Sequence, residues 1–150
     1  MLRSTAPRSR GKNAAHRNSH HTAKPRSQDL GSARPHCPGL QHNYDNNHDG
    51  PVWDRWDTRS QSVITRAEYI RRHAECATAP QGPAHVESAA PGQHGAWLVR
   101  YEIGGQQLTD HWYYIHRRWE FDLLLSNPGA ARLYRLPFAK YATQTGCADH

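Results

Sequence analysis

Residues 97–121 alternate. Trp97, Val99, Tyr101 and Ile103 fall on one parity, and Leu98, Arg100 and Glu102 on the other, the two-residue period of a strand. Gly104-Gly105 follows, and both positions tolerate the positive φ that a two-residue hairpin turn requires. Leu108, Asp110, Trp112 and Tyr114 share the next parity. After a turn at His116-Arg117, so do Trp119, Phe121, Leu123 and Leu125. Each turn fixes a register on its own. A turn at 104–105 sets 103 opposite 106, 101 opposite 108, 99 opposite 110 and 97 opposite 112. A turn at 116–117 sets 115 opposite 118, 114 opposite 119, 112 opposite 121 and 110 opposite 123. Both registers gather the aromatic positions on one side, and a slip of one residue would scatter them. The expectation is a curved antiparallel meander. Residues 84–90 add a shorter strand through His85-Val86-Glu87 before the Pro91-Gly92 break. The opposite face carries Arg100, Gln107, Thr109, His111, Glu120 and Asp122, so it reads as half-solvated.

Short helices flank the meander, which makes the fold class α+β. Thr65-Arg66-Ala67-Glu68 fits a capping box and opens a helix over 65–76, with Ile64, Ala67, Ile70 and Ala74 on its apolar stripe. Pro80, Gly82 and Pro83 end that segment. Trp53 and Trp56 stand three apart, as in the last turns of a helix. Ser126-Asn127-Pro128 reads as a helix start with Ser126 at the cap and Pro128 in the first turn. Ala130, Leu133 and Tyr134 give that helix its stripe, and Phe138 and Tyr141 anchor a last one ending at Gly146.

Composition divides the chain near residue 51. All five Trp, both Phe and six of the seven Tyr lie in 52–150, which is length enough for one modest core. Residues 1–51 hold Leu2, Leu30, Leu40 and Tyr44 as their few large apolar side chains and are expected to be a disordered basic tail. Eight Lys/Arg against three Asp give the tail +5 of the net +6. Such a charge attracts nucleic acid or another polyanion without sequence specificity. The longest aliphatic run, Leu123-Leu124-Leu125, is far short of a membrane span. No secretory signal is recognisable, so a cytoplasmic location is the default. Three cysteines are too few for a disulfide scaffold; Cys76 and Cys147 pair only if the two ends of the domain meet.

The runs ITRAEYIRRHAEC and WLVRYEIGGQQLTDHWYYIHRRWEFDLLLSNP resemble the small bacterial members of the nuclear-transport-factor-2-like superfamily. Those are cone-shaped α+β proteins that include the SnoaL-like and ketosteroid-isomerase-like families. The resemblance spans roughly residues 53–147. It rests on a D-x-W strand, Asp110 to Trp112, a tight turn, and W-x-F-D-L, Trp119 to Leu123. It implies a curved sheet whose concave face lines a ligand pocket. Two departures stand out: Arg117 occupies a turn position that often holds Gly, and the basic tail lies where a long covering helix is expected, as a wrong start site or shifted frame would produce.

The candidate chemistry follows from these placements. Asp110 alternates onto the apolar face, where burial disfavours its charged form. Within the pocket that the resemblance implies, it would act as a hydrogen-bond donor when neutral or a base when ionised, with Tyr101 and Tyr114 as phenol donors. The alternative is a structural Asp bonded to a helix end or an indole N–H. Trp97, Trp112, Trp119 and Phe121 would line a ligand site or simply form core. His111 and Asp122 read as a cross-strand surface pair. His16, His20 and His21 have helical spacing but sit in a segment without other helix signals, so no metal site is expected, and no cofactor motif is present. Three functions are compatible: a non-catalytic ligand-binding or assembly module, dimeric through its sheet; an isomerase- or cyclase-type enzyme using Asp110; and polyanion binding through the tail.

Overall fold

The computed structural model describes residues 39–77 and 81–147. Its centre is a four-stranded antiparallel sheet in the order β1-β2-β3-β4, formed by β1 His85–Pro91, β2 Trp97–Ile103, β3 Gln106–Ile115 and β4 Arg118–Phe121. The registers agree with those expected. Ile103 faces Gln106, Val99 faces Asp110 and Trp97 faces Trp112 across the first hairpin, and Trp112 faces Phe121 across the second. Gly104 and Gly105 both take positive φ, 57° and 79°. β1 runs through Pro91, where a break was expected, and pairs with β2 from Trp97 to Glu102, with a bulge between Val86 and Ser88.

Among the described residues seven α-helices accompany the sheet: α1 (39–45), α2 Asp49–Trp53, α3 Thr58–Gln61, α4 Arg66–Glu75, α5 Leu123–Ser126, α6 Pro128–Tyr134 and α7 Phe138–Thr145. The fold is α+β. Val99, Trp112, Trp119 and Phe121 from the sheet meet Val52, Tyr69 and Ala131 from the helices, and Trp56 from the segment between α2 and α3, in one core. The outer edge of β4 is not open. Phe121 N donates to Arg55 O at 2.7 Å and Asp57 N to Phe121 O at 2.9 Å, so residues 55–57 lie beside it as a short parallel strand. That contact satisfies backbone groups that an exposed edge would leave unpaired.

Several expectations need correction. Residues 39–51 are not a disordered extension of the tail: 39–45 and 49–53 are helical, Asp49 and Val52 are buried, and Leu40 and Tyr44 pack against the core. Residues 1–38 lie outside the described residues. The 53–63 stretch is not one helix remnant but the end of α2, the sheet-edge segment and α3, with the Asp57 side chain accepting from Ser60 N at 2.7 Å. α4 buries Tyr69, Arg72 and His73, while Ala67 and Ala74 are exposed. Thr65 caps α4 as expected. Glu68, however, takes Arg71 and Arg72 rather than the cap amide. The parity of β4 stops at Phe121. The Asp122 carboxylate accepts from Leu125 N at 3.0 Å and turns Leu123-Leu124-Leu125 into helix, leaving Leu125 49% exposed. Asn127, one residue later than expected, caps α6 by accepting from Ala130 N. Ser126 ends α5, and its hydroxyl accepts from His111 N.

Cys76, just after α4, is bonded to Cys147, just after α7, with the two Cα atoms 5.2 Å apart. The Arg72 guanidinium ties the same elements together. It donates to the carbonyls of Tyr134 and Leu136 and lies over the Tyr141 ring.

Candidate functional site: a cavity against the sheet

A cavity of about 310 Å³ opens between the sheet and the helices. Tyr101 and Asp110 form its sheet wall. They sit diagonally on β2 and β3, and the Tyr101 hydroxyl donates to Asp110 Oδ1 at 3.3 Å. Both are under 10% exposed. Trp56, Phe121 and Leu123 floor the cavity, Tyr69 of α4 and Tyr134 of α6 face the sheet, and Leu40, Gln41 and Tyr44 of α1 cover it. The exposed side chains of Gln81, Gln106 and Leu108 mark the mouth.

Behind the helical wall runs a chain of hydrogen-bonding groups. The Tyr69 and Tyr134 rings meet edge-on, with centroids 5.4 Å apart. Tyr134 Oη lies 2.9 Å from His73 Nε2, and Asp49 Oδ1 lies 3.5 Å from His73 Nδ1. Burial pushes the His73 pKa down to about 4, so the ring is neutral at pH 7. Burial raises Asp49 and both tyrosines. With Asp49 beside Nδ1, the favoured tautomer carries its proton there, and Nε2 then accepts from Tyr134. Tyr44 closes the cluster, its ring edge-on to His73 with centroids 5.5 Å apart.

The structure thus brings Asp110, Tyr101 and Phe121 into one cavity. Tyr114 is not among the lining residues and meets the Trp119 ring at a tilt of 56° instead. Trp97, Trp112 and Trp119 also lie away from the cavity: Trp112 and Trp119 are fully buried core, and Trp97 meets Trp119 edge-on. His111 and Asp122 are joined through their backbones, with Asp122 N donating to His111 O. They are not a surface pair, because Asp122 is wholly buried and caps α5. Sequence reasoning missed Trp56, Tyr69, Tyr134, Tyr44, His73 and Asp49. One local signal existed, the four-residue spacing of Leu40 and Tyr44 within the tail. Among the described residues no cluster of His, Cys, Asp and Glu could hold a metal ion, and no helix is long and apolar enough to cross a membrane. His16, His20, His21 and the tail arginines lie outside the described residues.

Comparison with family models, curated proteins and solved structures returns no match.

Proposed function

We propose that this chain is a small-molecule binding protein whose ligand occupies the cavity over Tyr101 and Asp110. The observation that carries this reading is the hydrogen-bonded Tyr101–Asp110 pair, buried in the wall of a cavity lined by aromatic, aliphatic and amide side chains. Its volume is at the small end of ligand sites, which run from about 300 to 1,000 Å³. A cavity that sets polar groups among aromatic and aliphatic ones supports a ligand oriented by those groups. The test uses the full chain and a library of small aromatic and aliphatic fragments, read by thermal shift. Fragments that raise Tm are expected to lose that effect in Ala130→Phe, because Ala130 lines the cavity and the larger ring fills it. A library with no binder, or binders indifferent to a folded Ala130→Phe protein, would overturn the reading.

The same pair supports a second reading, acid–base catalysis of the isomerase or cyclase type. A carboxylate within reach of a bound ligand, with a phenol on one oxygen, is suited to removing a proton next to a carbonyl. Solvent deuterium incorporation into small ketones, lost in Asp110→Asn, distinguishes catalysis from binding alone. The antiparallel meander, the helices packed against it and the cavity between them are also what support placing the chain near the cone-shaped superfamily it resembles in sequence.

A further inference from the structure

Asp49 and His73 are each 5% exposed, and neither lines the cavity. A carboxyl group and an imidazole are costly to bury unless each serves the other. They come from α2 and α4, and Asp49 Oδ1 stands 3.5 Å from His73 Nδ1. A small rotation of either side chain brings that contact into hydrogen-bond range. On the far side of the ring, His73 Nε2 stands 2.9 Å from the Tyr134 hydroxyl. Tyr134 does line the cavity and keeps part of its surface accessible. The three side chains run in a line from an enclosed carboxyl group to the cavity wall.

A neutral imidazole carries its hydrogen on one nitrogen and accepts on the other. The line therefore has two states. With Asp49 ionised, Nδ1–H donates to the carboxylate, Nε2 accepts from Tyr134, and the Tyr134 oxygen offers the cavity its lone pairs. With one proton added at Asp49, the carboxyl O–H donates to Nδ1. The ring hydrogen then sits on Nε2 and donates to Tyr134 Oη, which frees the phenol O–H for the cavity. The states differ by that one proton, taken from solvent and held on Asp49, and His73 and Tyr134 are neutral in both. Burial supports this division. It holds the His73 pKa at about 4, so the ring resists charge, and it raises Asp49, so the carboxyl group takes the proton. The other titratable groups around the pair are His48 beside Asp49, Tyr44 of α1 and Tyr69 of α4. Arg72, next to His73 on α4, is held by Glu68 and by the Tyr134 and Leu136 carbonyls.

We propose that Asp49, His73 and Tyr134 form a proton-operated selector. A proton at Asp49 turns Tyr134 from a hydrogen-bond acceptor into a donor, so the cavity favours N–H ligands without it and carbonyl ligands with it. This rests on the cavity being the ligand site, and the test separates the two ideas. Indole and 1-indanone have nearly the same bicyclic shape. Indole only donates, 1-indanone only accepts, and neither ionises between pH 5 and 7. Each is titrated into the full-length protein by calorimetry at pH 5, 6 and 7, in two buffers of different ionisation enthalpy, which reads the protons taken up on binding. 1-Indanone is expected to take up to one proton per ligand bound and to tighten as pH falls, by at most about tenfold per pH unit. Indole should take up none and should not tighten. In folded Asp49→Asn or Tyr134→Phe, either one sufficing, the uptake with 1-indanone should disappear. If neither variant folds, the wild-type contrast between the two ligands decides. Uptake that survives in Asp49→Asn but is lost in Asp110→Asn would put the proton on the sheet wall and overturn the selector. So would 1-indanone that fails to bind, or that binds without proton uptake at all three pH values, while the cavity reading stands on its fragments. If neither these compounds nor the fragment library bind, both fall.

Discussion

His73 illustrates how one buried side chain sets a pH response. It is 5% exposed, and burial holds its pKa at about 4, below the ordinary 6.5. The folded pKa is the lower one. Between pH 6.5 and 4 the unfolded chain therefore takes up a proton that the folded chain refuses, and stability falls through that window and levels off below it. A shift of this size is worth about 3 kcal/mol. Asp49, raised by burial, acts in the opposite sense at the acid end. Urea unfolding of the wild type should lose most of that energy between pH 7 and 4, and His73→Gln should lose much less. Parallel curves for the two proteins would refute the assignment. The second hairpin gives another residue-scale prediction. His116 and Arg117 take φ of 49° and 65° without being glycine, and the left-handed region costs such residues about 1 kcal/mol or more. Arg117→Gly should raise Tm by roughly 4–8 °C, the equivalent of about 1 kcal/mol; no rise would mean the arginine side chain contributes as much as the strain removes.

α4 is the element where composition and burial disagree most. Its alanines face out, and its buried side includes an arginine and a histidine. A stripe count favours Ala67, Ile70 and Ala74 because it scores hydropathy and does not register partners. Arg72 is buried because Glu68, two carbonyls and the Tyr141 ring receive it, and those partners lie four to about seventy residues away. The strands were legible for the opposite reason. Two tight turns fixed their registers locally, and parity did the rest, until Asp122 capped α5 and ended β4 where parity alone would have continued. α1 was hidden because a short helix has little stability of its own and forms by packing; Leu40 and Tyr44 are few signals in a polar segment. The disulfide beside α4 adds a prediction. It closes a 71-residue separation, for which loop-closure entropy gives about 4 kcal/mol. Cys76→Ser should lower stability by an amount of that order, and reducing agent should do the same to the wild type but not to the variant. An equal effect of reductant on both would show that the bridge is not the source.

At the scale of the whole molecule, the cavity is assembled from segments distant in sequence. Its sheet wall comes from β2 and β3, its far wall from α4 and α6, and its cover from α1. No short motif encodes such a site, so only Asp110 and its strand neighbours could be singled out beforehand. The parts also differ in how firmly they are held. β2 and β3 pair along seven residues inside a four-stranded sheet. α1 is tied by Tyr44 against His73 and by Asp45, which accepts from Gln81 N at 3.2 Å. Local opening costs least where buried contacts are fewest, so α1 should open well before the sheet and act as the door of the cavity. Amide exchange in 39–45 is therefore expected to be orders of magnitude faster than in β2 and β3 without ligand. A compound bound in the cavity touches Leu40, Gln41 and Tyr44 and should slow it selectively. Tyr44→Ala should weaken binding while costing about 2 kcal/mol of stability, less than the 3–5 of a fully buried ring. If α1 amides are as protected as those of β3 in the free protein, or a cavity ligand leaves them unchanged, α1 is a fixed wall and the ligand enters past Gln81 and Gln106 instead.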